Sequence, residues 1–236
     1  SFFFIFGAKC EILELSENIS ETELRKIISD INFDTSVNGC LIQLPLPGQL
    51  KSIDISSLVT PEKDIDGLHP QNIFSLYSGN STSGLIPCTP KGIITLLNYY
   101  GISLEGKSVV VIGRSQIVGK PLSLLLSQMN ATVTICHSKT KHLELITRSA
   151  DIIISAVGKS HFLTSTHFKH DQSQVVIDVG INRLNSGNIV GDVNFAEVAP
   201  LVSAITPVPG GIGPMTIVSL ADNLIKATKN QKGIHS

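Results

Sequence analysis

Apolar residues change their rhythm along this chain. Early on they fall at helical spacing: Leu24, Ile27, Ile28 and Ile31 follow the capping-box pattern Ser20-Glu21-Thr22-Glu23. This predicts a helix from about Ser20 to Asn32. Gly39 to Gln43 reads as a short buried strand stopped by Pro45 and Pro47. From 48 to 88 the pattern dissolves into Ser, Pro, Asn and Gly, with room for one or two short helices. Pro90, capped by Thr89, predicts the start of another helix, with Ile93, Ile94, Leu96 and Leu97 on its apolar face and Gly101 at its end.

Beyond residue 107 the apolar residues come in short blocks, of which Ser108 to Ile112 is continuous. Ser108 to Ile112, Ala131 to Cys136, Asp151 to Ser155 and Val175 to Asp178 read as buried strands. Helical segments at about Val118 to Gln128 and His142 to Arg148 separate the first three. Such alternation predicts a parallel sheet with helices on both faces, a Rossmann-like domain. A long amphipathic helix, about Pro214 to Lys229, closes the chain. The fold class is therefore α/β with two domains. Residues 1–90 form a smaller N-terminal domain, to which the helix at about 214–230 returns to bury its apolar face. Residues 91–213 form the Rossmann-like domain, and the boundary lies in the helix that starts near Pro90.

Composition narrows the function classes. The 236 residues carry a net charge of −1 with signs mixed, which argues against a nucleic-acid surface or a polybasic membrane patch. Cys10, Cys40, Cys88 and Cys136 are far apart, so they read as reduced, mostly buried thiols rather than as a zinc site or disulfide framework. Phe2 to Phe6 is too short to span a bilayer and lacks a signal-peptide pattern. An apolar run directly after Ser1 looks like the middle of an element, so an upstream segment is expected.

Val109 to Pro121 has the order strand, glycine turn, helix. Gly113 suits the sharp exit from the strand, and Gly119 a close approach of helix and strand. The helix start offers N–H groups to a phosphate. The spacing is G-x-S-x-x-x-G-x-P, so Ser115 stands where the usual dinucleotide fingerprint has its second glycine. The next strand ends in Cys136-His137-Ser138-Lys139 without a carboxylate, and Arg114 lies in the adjoining turn. Donors without an acid suit a 2′-phosphate, hence NADP rather than NAD; the plainer reading is that His137 and Lys139 face solvent.

Three further segments are unusual. In Gln43-Leu-Pro45-Leu-Pro47, Gln43 sits at the end of the expected strand, either at a ligand site or bonding a nearby loop. Pro61 to Pro70 gathers Asp64, Asp66, Lys63 and His69, although Asp66-Gly67 also reads as a plain turn. Thr206 to Thr216 alternates prolines and glycines just before the final helix, a rigid loop whose bare backbone a planar ligand can approach.

Taken in order, QLPLP (43–47), PEKDIDGLHPQN (61–72), PCTPKGI (87–93), VVVIGRSQIVGKP (109–121), ATVTICHSKT (131–140), VIDVGINR (176–183), VGDV (190–193) and ITPVPGGIGPMT (205–216) resemble the bifunctional methylenetetrahydrofolate dehydrogenase/cyclohydrolase family, called FolD in bacteria. The likeness covers nearly the whole chain from Gly7. QLPLP and PVPGGIGPMT argue against the alternative of a shikimate or amino-acid dehydrogenase-like enzyme. The resemblance implies NADP-dependent oxidation of 5,10-methylenetetrahydrofolate and hydrolysis of the methenyl product to 10-formyltetrahydrofolate, both in one cleft. It further implies a cytoplasmic homodimer in one-carbon metabolism and purine biosynthesis, with no metal, nucleic-acid or membrane partner. By resemblance Gln43 and Asp66 serve catalysis, Asp66 by bonding the pterin. Pro209, Gly210 and Gly211 line the folate site. Gly113, Arg114, Ser115, Gly119, Ser138 and Ile181 contact NADP, with Arg114 and Ser138 near the 2′-phosphate.

Two departures stand out. The family's Y-x-x-x-K motif aligns upstream of Ser1, and Lys9 lies too late to replace its lysine. The expectation is an N-terminally shortened form of a bifunctional enzyme; the competing reading is an inactive NADP-binding relic or regulatory module. Phe74 replaces a small glycine of the family, either reshaping a loop near the cleft or packing inward.

Overall fold

The computed structural model describes residues 7–79 and 84–234; the Phe2 to Phe6 run lies outside them. Helix α1 spans Glu21–Phe33. The Ser20 hydroxyl accepts the Glu23 N–H at 3.2 Å, and the Glu23 carboxylate accepts the Ser20 N–H at 3.0 Å, so the capping box satisfies two groups that the helix leaves unpaired. Leu24 and Ile28 of its inner face pack with Leu50 and Val59. At the other end the buried Lys63 ammonium donates to the Ile31, Asn32 and Asp34 carbonyls at 2.9, 2.9 and 2.6 Å. It is a helix C-cap built from a side chain.

The strand expected over Gly39–Gln43 reduces to one parallel bridge, Cys40 to Asp64. Pro45 and Pro47 supply no N–H donors, and a ladder needs a partner of matching length. A 3₁₀ turn over Gly48–Leu50 and helix α2, Pro70–Tyr77, are the short helices of the irregular stretch. Helix α3 spans Cys88–Tyr99 and so starts two residues before Pro90. First-turn N–H groups have no helical partner, so proline costs nothing there. Thr89, expected as the cap, instead bonds Thr216 through their hydroxyls at 3.2 Å.

Strands β1 (Ser108–Ile112), β2 (Thr132–Cys136), β3 (Ile152–Ser155) and β4 (Val175–Asp178) alternate with helices α4 (Gly119–Gln128) and α5 (Leu143–Ser149). The antiparallel pair β5 (Asn182–Arg183) and β6 (Ile189–Val190) follows, then α6 (Phe195–Val198) and β7 (Ala204–Ile205). The main sheet is wholly parallel, in the order β2-β1-β3-β4-β7. Both faces of β1 are buried: Val109 and Val111 meet Leu122, Leu126, Ile93 and Leu97, while Val110 and Ile112 meet Ile153, Val176 and Leu163. Burying each such side chain is worth roughly 1.5–3 kcal/mol, which explains the apolar blocks of β1, β3 and β4; β2, expected as a buried strand, lies at the sheet edge and is mostly exposed, as its two threonines allow.

Helix α7, Ile212–Gln231, crosses α3 closely: a Cβ on Gly92 would lie 3.0 Å from the Met215 carbonyl. Its far half packs Ala227, Leu220 and Leu224 on Ile65 and Leu85. Among the described residues no helix is long and apolar enough to cross a membrane, and no three His, Cys, Asp or Glu side chains are placed to hold a metal ion. Cys88 and Cys136 are buried, whereas Cys10 is exposed and Cys40 is intermediate, so burial covers only half of the thiols expected to have it.

Candidate active site

The chain runs from β1 to β2 on one side and then to β3 on the other. The carboxyl ends of β1 and β3 therefore flank the reversal of strand order, where parallel sheets open a ligand crevice. Backbone is packed tightly there. A Cβ on Gly113, whose φ is 122°, would lie 2.4 Å from the Ala156 carbonyl oxygen. A Cβ on Gly119 would lie 2.1 Å from the Gly113 carbonyl oxygen. Neither position admits a larger residue without moving main chain.

The free N–H groups expected at the start of α4 are already engaged. Gly119 N–H and Val118 N–H donate to Ser115 Oγ at 3.3 and 3.1 Å. Lys120 N–H donates to the Ser115 carbonyl at 3.0 Å and Leu122 N–H to that of Val118 at 2.9 Å; Pro121 has none. Ser115 thus acts as a cap, and its hydroxyl proton remains the donor that it can offer outward. Beside it, His137 N–H donates to Thr140 Oγ1 at 2.9 Å, and Lys139 N–H donates to His137 Nδ1 at 3.1 Å. This pins the turn after β2 and commits the histidine ring to it. Arg114, Ser138 and Lys139 are exposed around that turn, leaving their donors available to an anion.

Two buried acids frame the crevice. Asp192 is fully buried and accepts from Ser155 Oγ at 3.1 Å, from the N–H groups of Val157, Gly158 and Lys159 at 2.7, 3.3 and 2.8 Å, and from Asn182 Nδ2 at 3.1 Å. Asp178 accepts the N–H groups of Gly180, Asp192 and Val193 at 2.9, 2.9 and 2.8 Å. Burial pushes the Asp178 carboxyl above the ordinary aspartate range, and its three backbone donors pull the other way. Together they tie the loop after β3 to the segment carrying Ile181, which is 68% exposed. Ile181, Val179, Ile189, Pro209, Gly211 and Gly213 line a common cleft, so the structure brings Ile181 together with the Pro209-Gly210-Gly211 loop. A Cβ on Gly210 would meet nothing within 4 Å, leaving bare backbone facing open space.

At Pro61 to Pro70 Lys63, Asp64, Asp66 and His69 divide their work. Lys63 caps α1, as above. Asp64, buried, accepts His69 N–H at 2.7 Å and Asn72 Nδ2 at 2.9 Å, and so shapes the loop. His69 Nδ1 caps α2 by accepting Gln71 N–H at 3.1 Å. Asp66 is left half-buried. Desolvation and then the neighbouring Asp64 charge raise its carboxyl above the usual range, while the Cys88 thiol bonded to it lowers it. Gly67 turns the chain at φ +76°, where a Cβ would lie 2.6 Å from the Ile86 carbonyl carbon. The Asp66-Gly67 turn and a poised carboxylate are thus one feature.

Gln43 is exposed, not buried at a strand end, and its Nε2 donates to the adjacent Leu44 carbonyl at 3.0 Å. Nothing in that geometry fixes it on a distant loop. Phe74 does not pack inward; it is 65% exposed on α2, its ring 6.4 Å from that of Tyr77. Asp178, Asp192 and Asn223 have no role in the sequence reading, and Cys88 figures there only as a buried thiol. An acid ending an apolar strand and a lone amide on the apolar face of α7 were the available signals.

A family model for the tetrahydrofolate dehydrogenase/cyclohydrolase NAD(P)-binding domain matches residues 87–232, and one for the catalytic domain of the same family matches residues 5–66. The bifunctional protein FolD of Oceanobacillus iheyensis is 52% identical over 95% of this chain and 78% of its own length. The crystal structure of the FolD dehydrogenase/cyclohydrolase from Campylobacter jejuni superposes with a TM-score of 0.85 at 50% identity, over 91% of this chain and 75% of that one. The Trypanosoma brucei enzyme, solved with NADP cofactor and inhibitor, gives 0.86 at 33% identity over 95% and 77%. With both halves of the chain matched in sequence and in fold, this chain belongs to the tetrahydrofolate dehydrogenase/cyclohydrolase family.

Proposed function

We propose that this protein oxidises 5,10-methylenetetrahydrofolate with NADP and hydrolyses the methenyl product to 10-formyltetrahydrofolate. The observation that carries this reading is the shared cleft of Ile181 and the Pro209–Gly213 loop, supported by the glycine-turned crevice at the carboxyl ends of β1 and β3. The residues fit NADP. Two exposed turns supply Arg114, Ser115 and Ser138 and no carboxylate, which suits a 2′-phosphate and disfavours the free 2′-hydroxyl of NAD. Gly113 and Gly119 set the turn, and Ile181 offers an apolar contact. Bound there, the cofactor supplies the hydride acceptor.

The chain's own task is then mostly positioning, which can supply on the order of 7–11 kcal/mol of barrier reduction. Asp66, ionised, accepts two N–H bonds from the amino-pyrimidinone edge of the pterin. Pro209, Gly210 and Gly211 present rigid main chain to the folate, and the Gln43 amide polarises the reacting centre. Hydrolysis additionally needs a proton donor and acceptor near the imidazoline ring. In this reading residues 1–90 with α7 form the folate domain and 91–213 the NADP domain. The protein works as a cytoplasmic homodimer in one-carbon metabolism and supplies purine biosynthesis. Formation of NADPH from 5,10-methylenetetrahydrofolate by the purified protein, with 10-formyltetrahydrofolate identified among the products, tests it. NADP binding with no turnover of either folate would sink the enzymatic reading.

A further inference from the structure

Asp66 is held in place from the opposite end of the chain. Asn223, fully buried in the middle of α7, donates from Nδ2 to the Ile65 carbonyl at 2.9 Å and the Ile86 carbonyl at 2.8 Å. Its Oδ1 accepts the Lys91 ammonium at 2.9 Å, and Lys91 also pairs with Asp222. A cation on one side of the amide and two carbonyls on the other admit one orientation only. Ile65 precedes Asp66, and Ile86 is the backbone against which Gly67 turns. The same Nδ2 lies 3.5 Å from Cys88 Sγ. Cys88 in turn donates its N–H to the Asp66 carbonyl at 3.2 Å, and its thiol donates to the Ile65 carbonyl at 3.2 Å. One amide thus grips the residue before Asp66, the stretch of chain behind Gly67 and the cysteine whose N–H holds the Asp66 carbonyl.

The N-terminal end of α7, at Ile212, is capped by Gly211 of the Pro209–Gly213 loop. Between that end and Asn223 the helix is bolted to α3 by the Thr89–Thr216 hydroxyl bond and by the close contact of Gly92 with Met215. Twelve residues of helix separate Gly211 from Asn223, about 18 Å at 1.5 Å per residue. We infer that α7 is a strut fixing the separation of the Pro209–Gly211 loop and Asp66, and that Asn223 is a positioning residue for folate acting through Asp66. This rests on the proposed role of Asp66 as the pterin contact.

The test is a double-mutant cycle read by calorimetric binding of tetrahydrofolate, with NADP affinity and melting temperature measured on the same preparations. Asp66→Ala and Asn223→Ala should each weaken tetrahydrofolate by about tenfold or more, while the double variant binds no more weakly than Asp66→Ala alone. NADP affinity should stay within about twofold. If Asp66→Ala leaves tetrahydrofolate binding intact, the pterin role falls and the inference with it. If Asp66→Ala weakens binding but Asn223→Ala does not, or if the two losses add in the double variant, the inference alone is overturned. Should Asn223→Ala fail to fold, Gly92→Ala carries the same cycle. Its Cβ would press on the Met215 carbonyl and shift α7 by a few tenths of an ångström, so it too should cost tetrahydrofolate affinity and not NADP affinity.

Discussion

Replacing Asp192 by alanine should damage the cofactor crevice more than any exposed residue around it. The carboxylate collects five donors: the Ser155 hydroxyl, three consecutive backbone N–H groups from Val157 to Lys159, and the Asn182 amide. Truncation strands them. A buried donor left unpaired costs about 1–3 kcal/mol, but the three loop N–H groups are only partly buried and water reaches them once the loop lifts. Ser155, fully buried, has no such escape. The net loss is therefore set at about 3–5 kcal/mol, below the sum for five stranded donors. For a chain of this length that lowers the melting temperature by on the order of 10 °C. Because the loop after β3 borders the strand-order reversal, NADP affinity should fall with it by at least about tenfold, which corresponds to 1.4 kcal/mol. Thermal unfolding and NADP titration of Asp192→Ala measure both. A melting temperature within about 3 °C of the parent, or a destabilised protein that binds NADP as before, would refute the claim that this acid ties the loop to the cofactor site.

Other perturbations separate the remaining roles. Lys63→Met removes the donor to three carbonyls at the end of α1 and should cost about 1–2 kcal/mol in urea unfolding, since Ile31 and Asn32 are only half-buried and Asp34 is exposed; a loss under about 0.5 kcal/mol would show that all three are readily hydrated. Arg114→Ala should raise the KM for NADP far more than that for NAD, and equal increases would argue against a 2′-phosphate contact. Asp66 has its folded pKa raised, so its contribution to stability is fully present below the ordinary aspartate range and is lost as pH rises through the raised value. Asp66→Asn should accordingly raise the melting temperature at neutral pH and not at strongly acid pH, while weakening folate. In the parent protein folate affinity should fall on acidification at a higher pH than an ordinary aspartate would impose. A melting temperature that drops at neutral pH in Asp66→Asn would contradict the sign of that shift.

The Rossmann half was legible because its signals are local. Strands β1, β3 and β4 are nearly continuous apolar blocks, as burial on both faces demands, and Gly119 is forced by main chain of its own turn, although Gly113 is forced by Ala156 beyond β3. The N-terminal half was less legible because its order comes from elsewhere in the chain. Gly39–Gln43 has the composition of a strand but finds only the one-residue bridge to Asp64. Lys63 reads as a loop cation and becomes a helix cap only because α1 ends above it. Asn223 shows the limit most clearly. On periodicity alone it is a flaw in the apolar face of α7, and its partners Ile65 and Ile86 lie well over a hundred positions away. A buried amide on an apolar face must be paired, so the flaw itself announces a polar partner; it does not say which one. The same holds for Asp178 and Asp192, acids at the ends of apolar runs whose donors are mostly backbone groups without any residue signature. Residues that face a ligand are thus named by their chemistry, whereas those that hold them in place are named only by the fold.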